Sequence, residues 1–104
     1  MDKIEKLKEF LGANPSDSFI QHALALEYIK VGDEAAAKFQ FETLLQRDEN
    51  YVGSYYHLAK LLERTGDKEG AAKTYEKGMQ KAKAAGEGHA YNELQAAYED
   101  LADE

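Results

Sequence analysis

The sequence contains no cysteine and a single proline among its 104 residues. Without cysteine, disulfides, thiolate zinc sites and thiol nucleophiles are excluded. No apolar run reaches the roughly 18 residues that a membrane-spanning helix needs, and the charged N-terminus lacks the apolar core of a signal peptide. We therefore expect a soluble protein with a cytoplasmic location and no membrane contact.

The chain also has no excess of positive charge. The chain contains 13 Lys and Arg residues and 20 Asp and Glu residues, which gives a formal net charge of −7. Nucleic-acid binding requires a basic patch, whereas the basic residues here are scattered among acids, so we expect no nucleic-acid partner. With 43% hydrophobic and 32% charged residues, the composition and length predict one globular domain over residues 1–104.

What the chain does contain is an internal repeat with a period of 34 residues. The repeat appears when Gly32-Asp33 is placed over Gly66-Asp67. The same shift brings further small, large and turn residues into register: Leu24-Ala25 falls on Leu58-Ala59, Ala37 on Ala71, and Phe41 on Tyr75. A period of this length is typical of repeat architectures, in which successive units stack to bury a shared core.

Each unit predicts two helices joined by a tight turn. In the first unit, Leu24, Tyr28 and Val31 form an apolar stripe at helical spacing. Gly32 suits the positive φ of a helix C-terminus, and Asp33 suits the N-cap of the next helix. The second helix carries its own stripe at Ala37, Phe41, Leu44 and Leu45.

Both ends predict further helices. Residues 2–12 predict a short amphipathic helix with Ile4, Leu7, Phe10 and Leu11 inward. After it, we expect Asn14 to cap the next helix and Pro15 to lie in the first turn of that helix. Beyond Gly86 and Gly88, residues 89–101 predict a last helix with a stripe at Tyr91, Leu94, Tyr98 and Leu101. The fold class is therefore all-α, with about six helices and no strand.

These residues resemble the tetratricopeptide repeat family over nearly the whole chain. Repeat one fits at Leu24-Ala25, Tyr28, Gly32-Asp33, Ala37 and Phe41, and repeat two fits at Tyr55, Leu58-Ala59, Leu62, Gly66-Asp67, Ala71 and Tyr75. The resemblance implies a short α-solenoid of antiparallel helix pairs. It divides the chain into an N-terminal half-repeat or capping helix at 1–14, repeat one at 17–50, repeat two at 51–84 and a C-terminal capping helix at 88–102. Two departures are Gln21, where an aromatic residue is expected, and Gly78, where alanine is usual.

The resemblance also implies a function, that of a protein–protein interaction module or adaptor. In this family the first helices of successive repeats line a concave groove that holds a partner peptide or protein. Carried over by position, the groove residues are Phe19, His22, Leu26, Tyr56, His57, Lys60, His89 and Asn92. We expect most of them to be exposed, with Phe19, Leu26 and Tyr56 as the apolar anchors that carry binding energy.

Other functions have weaker support in the sequence. The basic pattern with which one subgroup of the family grips a partner's C-terminal carboxylate is largely missing. The three histidines lie 35 and 32 residues apart, one per repeat, whereas metal sites favour closely spaced ligands that converge. No catalytic motif is present, so we expect no catalytic residue, metal or cofactor, although a small enzyme or metal carrier stays a remote alternative.

Self-association is the main alternative to the adaptor. The open ends of short repeat arrays leave apolar surface exposed. Here the patch to suspect is formed by Tyr91, Tyr98 and Leu101, and we expect a monomer or a weak homodimer.

Overall fold

The computed structural model describes residues 2–104, and these form six α-helices and no strand. The helices are α1 (Lys3–Ala13), α2 (Ser18–Lys30), α3 (Glu34–Arg47), α4 (Gly53–Arg64), α5 (Lys68–Ala84) and α6 (Gly88–Ala102). They divide into two compact units, Met1–Asp48 with α1 to α3 and Glu49–Glu104 with α4 to α6. The predicted all-α class is confirmed.

In the first unit, α2 packs against both α1 and α3. Small residues allow the close approach of α2 and α3, because Ala25 and Ala37 are completely buried. Phe41 fills the adjacent space and is also inaccessible to solvent. The remaining core side chains of this unit are leucines, at Leu24, Leu44 and Leu45.

In the second unit, α5 packs against both α4 and α6, and α6 also touches α4. Ala59 and Ala71 are completely buried, as is the large ring of Tyr75. The same small and large residue types thus take the same places as in the first unit. The rest of this core consists of Val52 just before α4, Tyr55, Leu58, Leu61 and Leu62 on α4, Ala82 on α5, and Leu94, Ala97 and Leu101 on α6.

The predicted turns within the two repeats are confirmed. Gly32 and Gly66 have φ angles of 83° and 91°, a region that side chains disfavour. Asp33 and Asp67 follow as N-caps, and each carboxylate accepts a hydrogen bond from the backbone N–H three residues later, at 3.1 and 2.8 Å. These bonds satisfy N–H groups that have no partner inside the helix.

A third turn of the same backbone type joins α5 to α6. Gly86 has a φ of 72°, and the N–H of Glu87 donates to the carbonyl of Ala82 at 2.9 Å. In the first turn the N–H of Asp33 makes the equivalent bond to Tyr28, also at 2.9 Å. Unlike Asp33, however, Glu87 makes no side-chain capping bond. The sequence predicted a break at Gly86 but not this repetition of the turn.

The connection between α1 and α2 differs from the prediction. Asn14 does not cap the next helix but ends α1, where its amide donates to the carbonyl of Phe10 at 3.1 Å. The N-cap of α2 is Asp17, which accepts from the N–H of Ile20 at 3.0 Å. Pro15 therefore lies in the connecting turn and not in the first turn of α2. Asp17 takes the cap because its carboxylate stands three residues before an unpaired N–H.

Two residues predicted to face inward are exposed. Val31 is 65% exposed because α2 ends at Lys30, which leaves Val31 as the C-cap beyond the apolar stripe. Phe10 is 55% exposed. Helix α1 packs against α2 alone and has no fully buried residue, so its buried stripe is narrower than the sequence predicted.

Candidate functional site

Side chains from α4 and α6 come together on one surface of the second unit. Tyr56, Lys60 and Glu63 are spaced by four and three residues along α4, which places them on one side of that helix. Glu93 and Asp100 are seven residues apart on α6, two turns along one side. We call the surface formed by these five residues the α4/α6 face.

Aromatic rings form the floor of the α4/α6 face. The half-buried ring of Tyr56 meets the buried ring of Tyr75 edge-on, with centroids 6.5 Å apart. His57 makes a second edge contact with Tyr56 at 5.8 Å. Lys60 extends over the Tyr56 ring, with its Nζ 5.8 Å from the centroid, within the range of a cation–π contact. Tyr56 is thus fixed from several sides while part of its ring stays accessible.

The lysine of the α4/α6 face already has an anionic neighbour. Lys60 Nζ lies 3.7 Å from Glu63 Oε2. The same carboxylate oxygen accepts a hydrogen bond from the hydroxyl of Tyr75. Burial, and then this bond to Glu63, raise the pKa of the Tyr75 hydroxyl well above its usual range. Tyr75 is therefore a neutral donor that holds Glu63 in place beside Lys60.

The two carboxylates from α6 have no such cationic partner. Glu93 Oε1 lies 3.8 Å from Nε2 of the exposed His89, a contact that is an ion pair only when the imidazole is protonated. Asp100 lies near enough to contribute to the raised pKa of Tyr75. Within the described part of the chain, neither Glu93 nor Asp100 forms an ion pair with Lys or Arg. The α6 side of the face therefore presents negative charge.

His57 is half-buried and stays neutral at neutral pH. Burial lowers the pKa of its imidazole below the usual range, and the nearby Glu93 carboxylate opposes that shift. The positive charge of protonated His57 is thus largely absent from the α4/α6 face under physiological conditions.

The eight residues predicted to line a groove are divided between the two units. Three lie on α2 in the first unit: Phe19 is 72% exposed, while His22 and Leu26 are half-buried. His22 packs its ring edge-on against the buried Phe41, with centroids 5.7 Å apart. In the second unit, Tyr56, His57 and Lys60 are half-buried on α4, and His89 and Asn92 are exposed on α6. Solvent exposure was expected for most of the eight; three are exposed, and the other five are half-buried and keep part of their surface accessible.

Three residues of the α4/α6 face were missed by the sequence reasoning. Glu63 follows Lys60 by three residues, so helical spacing alone pointed to it. Glu93 and Asp100 required knowledge that α6 reaches α4, which is a contact between helices distant in sequence. The acidic character of the surface therefore appears only with the structure.

A second surface of this unit contains cavities between α5 and α6. A cavity of about 400 Å³ is lined in part by Ala82, Lys83 and Tyr91. A neighbouring one of about 320 Å³ shares Lys83 and Tyr91 and adds Met79 and Tyr98. We call this surface the α5/α6 furrow. The predicted patch residues Tyr91 and Tyr98 are half-buried along it, whereas Leu101 is buried.

Two negative observations apply to residues 2–104. No three His, Asp or Glu side chains there are grouped so that they could hold a metal ion. None of the helices in that range combines the length and the apolar character needed to cross a bilayer.

Comparisons with known proteins agree with the repeat pattern. The family model for the tetratricopeptide repeat matches residues 20–51 and 52–83, well over half of the chain. No curated protein shows a significant match. Domains with this repeat are in general protein–protein interaction modules and not enzymes.

Solved structures resemble the chain over most of its length. A solution structure of a tetratricopeptide repeat domain protein from Salinibacter ruber is 39% identical, with a TM-score of 0.81, and the match covers 84% of this chain and 88% of that one. A crystal structure of a tetratricopeptide repeat domain protein from the same organism is 38% identical, with the same TM-score, and the match covers 84% and 97%. A solution structure of a protein from Bordetella parapertussis is 25% identical, with a TM-score of 0.84, and the match covers 99% and 90%. The chain belongs to the tetratricopeptide repeat family.

Proposed function

We propose that this chain is an adaptor that binds a partner peptide or protein through the α4/α6 face of its second unit. The observation that carries the proposal is the α4/α6 face, where the partly accessible Tyr56 ring is held by Tyr75 and His57. A rigid aromatic side chain of this kind loses little entropy on binding, and tyrosine is enriched among residues that dominate binding energy. Within the first unit by itself, Phe19 is a large exposed ring on α2 and offers a separate aromatic contact.

The test begins with a random peptide library selected on the full chain. Enriched peptides are then titrated against the parent and against a Tyr56→Ala/Asn92→Ala variant, with fluorescence anisotropy as the readout. Loss of the Tyr56 anchor predicts at least tenfold weaker binding, in line with the roughly 2 kcal/mol typical of a hot spot. Helical circular dichroism of the variant establishes that it remains folded.

The matched control is Phe39→Ala. Phe39 is a large aromatic residue that is 64% exposed, but it lies on α3 in the first unit and therefore outside the α4/α6 face. The proposal requires that Phe39→Ala leaves affinity unchanged. Equal binding by the parent and the Tyr56→Ala/Asn92→Ala variant contradicts it.

Self-association is the second candidate, and the α5/α6 furrow is the observation that favours it. Apolar depressions flanked by Tyr91 and Tyr98 are typical of surfaces that receive another helix. Sedimentation equilibrium at several concentrations measures this directly, and Tyr91→Glu is expected to shift any dimer to monomer. A parent chain that stays monomeric at every concentration excludes this candidate. The cytoplasmic location expected from the sequence remains a prediction.

A further inference from the structure

We infer that the α4/α6 face selects a basic peptide, one that sets separate Lys or Arg side chains against Glu93 and Asp100 and an apolar side chain against Tyr56. This inference rests on the proposed function, because it names the chemistry of the partner for the same surface. Its basis is the uneven distribution of charge between α4 and α6.

The charges contributed by α4 are already engaged. Lys60 is 3.7 Å from Glu63, and Glu63 also accepts from the Tyr75 hydroxyl. Arg64, in the last turn of α4, has an interaction of its own within the chain. A negatively charged ligand would therefore have to compete with Glu63 for Lys60, at a cost in ion-pair energy. This is the opposite of what a carboxylate-binding groove needs.

Helix α6, in contrast, has no Lys or Arg to offset its acids, and its one histidine, His89, pairs with Glu93 only when protonated. Between Gly88 and Ala102 it contains Glu93, Glu99 and Asp100 but no Lys or Arg. Glu93 and Asp100 share one side of the helix, and both are exposed. A cationic side chain that reached them would gain charge-assisted hydrogen bonds without breaking an existing Lys or Arg pair.

The aromatic floor supports the same partner. Lys60 already lies over one part of the Tyr56 ring, so the part that stays accessible is left for the apolar side chain of the peptide and not for its cationic groups. The net charge of −7 for the chain adds a long-range attraction for basic segments. Short-range contacts and the overall field thus favour the same sign of ligand.

The experiment uses two fluorescent peptide sets of equal length and equal leucine content. One set carries Lys and Arg at its variable positions, and the other carries Asp and Glu. Binding of each set to the full chain is measured by anisotropy at low and at high salt. We expect the basic set to bind at least tenfold more tightly than the acidic set, and the difference to shrink at high salt because screening weakens exposed charge contacts.

Two variants of the face locate the charge selection. Glu93→Gln/Asp100→Asn keeps the shape of both side chains and removes their charge, and it is expected to weaken binding of the basic set about tenfold. Glu93→Lys/Asp100→Lys is expected to reverse the preference in favour of the acidic set. The matched control is Glu9→Gln/Glu42→Gln, which changes the net charge equally on exposed positions of α1 and α3 and should leave the preference intact.

The outcomes separate this inference from the proposed function. If the two sets bind equally, or if Glu93→Gln/Asp100→Asn behaves like the control, the inference is wrong. In those cases a loss of binding in Tyr56→Ala/Asn92→Ala still supports the adaptor. If the basic set does not bind at all, the inference is also overturned. If it binds the parent, the carboxylate variants and Tyr56→Ala/Asn92→Ala with the same affinity, both the inference and the α4/α6 face as the adaptor site are wrong.

Discussion

Gln21 on α2 and Tyr55 on α4 occupy equivalent positions of the two units, 34 residues apart. Leu44 on α3 and Gly78 on α5 form a second equivalent pair. In the second unit a Cβ added to Gly78 would lie 2.6 Å from the Cβ of Tyr55, so the close approach of α4 and α5 at this point requires glycine. The first unit uses a smaller residue on its first helix and a leucine on its second. Because Gln21 and Leu44 both carry a Cβ, the comparison indicates that α4 and α5 approach each other more closely at this position than α2 and α3 do.

The polar ends of these side chains are also satisfied in different ways. The Tyr55 hydroxyl donates to the backbone carbonyl of Glu49 at 2.6 Å. The buried amide of Gln21 donates to Gln40 at 3.1 Å and accepts from Arg47 at 2.7 Å. A buried polar group is costly unless it is bonded. The buried polar group at this position is thus bonded to side chains in the first unit and to a backbone carbonyl in the second unit.

The largest effect is expected for Leu44→Gly, which introduces the glycine of the second unit into the first. Leu44 is completely buried, so the change leaves a cavity and adds a helix-breaking residue, at a cost of about 3 to 6 kcal/mol. Urea unfolding followed by circular dichroism measures the loss. Adding Gln21→Tyr recreates the tyrosine–glycine pair and should recover part of it. If the second change recovers nothing, the volumes are not coupled in the first unit.

A smaller loss is expected for Gly78→Ala. The new methyl group would overlap Tyr55, at a typical overpacking cost of about 1 to 3 kcal/mol, partly offset by the roughly 1 kcal/mol better helix propensity of alanine. The control is Gly12→Ala on α1, where nothing lies within 4 Å of the added Cβ and a gain of about 0.5 to 1 kcal/mol is expected. Thermal unfolding of both variants should give shifts of opposite sign. Two upward shifts would show that Gly78 is not tightly packed.

Tyr75→Phe tests whether the second unit needs the hydroxyl that its equivalent, Phe41, lacks. Removing the bond to Glu63 is expected to cost about 1 kcal/mol of unfolding free energy. Tyr98→Phe serves as the control, because the bond of Tyr98 to Glu76 is exposed and its loss should be nearly neutral. Equal unfolding midpoints for parent and Tyr75→Phe would mean that the Glu63 contact adds no net stability.

The smallest change expected is a gain from Glu87→Asp. The turn at Gly86 has the backbone of the two Gly-Asp turns, but Glu87 makes no capping bond. A shorter carboxylate is expected to cap α6 as Asp33 caps α3, with a gain of about 0.5 to 1 kcal/mol. Amide hydrogen exchange in the first turn of α6 reports this locally. Unchanged protection there would indicate that something other than side-chain length prevents capping.

Features that depend only on residues close together in the chain, such as the turns within the repeats, were predicted well from the sequence. The turns at Gly32 and Gly66 were confirmed because a positive φ and a cap are local requirements. The junction after α1 was wrong because Asn14 and Asp17 are both good caps within four residues, and local rules do not rank them. Val31 was misplaced by a single residue at a helix end, where boundaries depend on how the chain turns.

The candidate site was harder to predict. Tyr56 and Lys60 were predicted as site residues because their position in the repeat places them on α4, and this assignment stays a prediction. Glu93 and Asp100 were not, since their role depends on α6 touching α4. The 34-residue register pairs Gln21 with Tyr55 and Gly78 with Leu44. Those two pairings are the sequence signal that the two departures are related.

The different helix spacing of the two pairs at these positions limits how this chain can be recombined. A crossover between the two units is expected to be neutral if it exchanges whole helix pairs. A crossover at the turn between α2 and α3 would instead combine the helix that carries Gln21 with a helix that carries Gly78. The reciprocal product would combine the helix that carries Tyr55 with a helix that carries Leu44. One product has a cavity and the other an overlap. Duplication and exchange of such repeats should therefore leave viable junctions between helix pairs and eliminate those inside them.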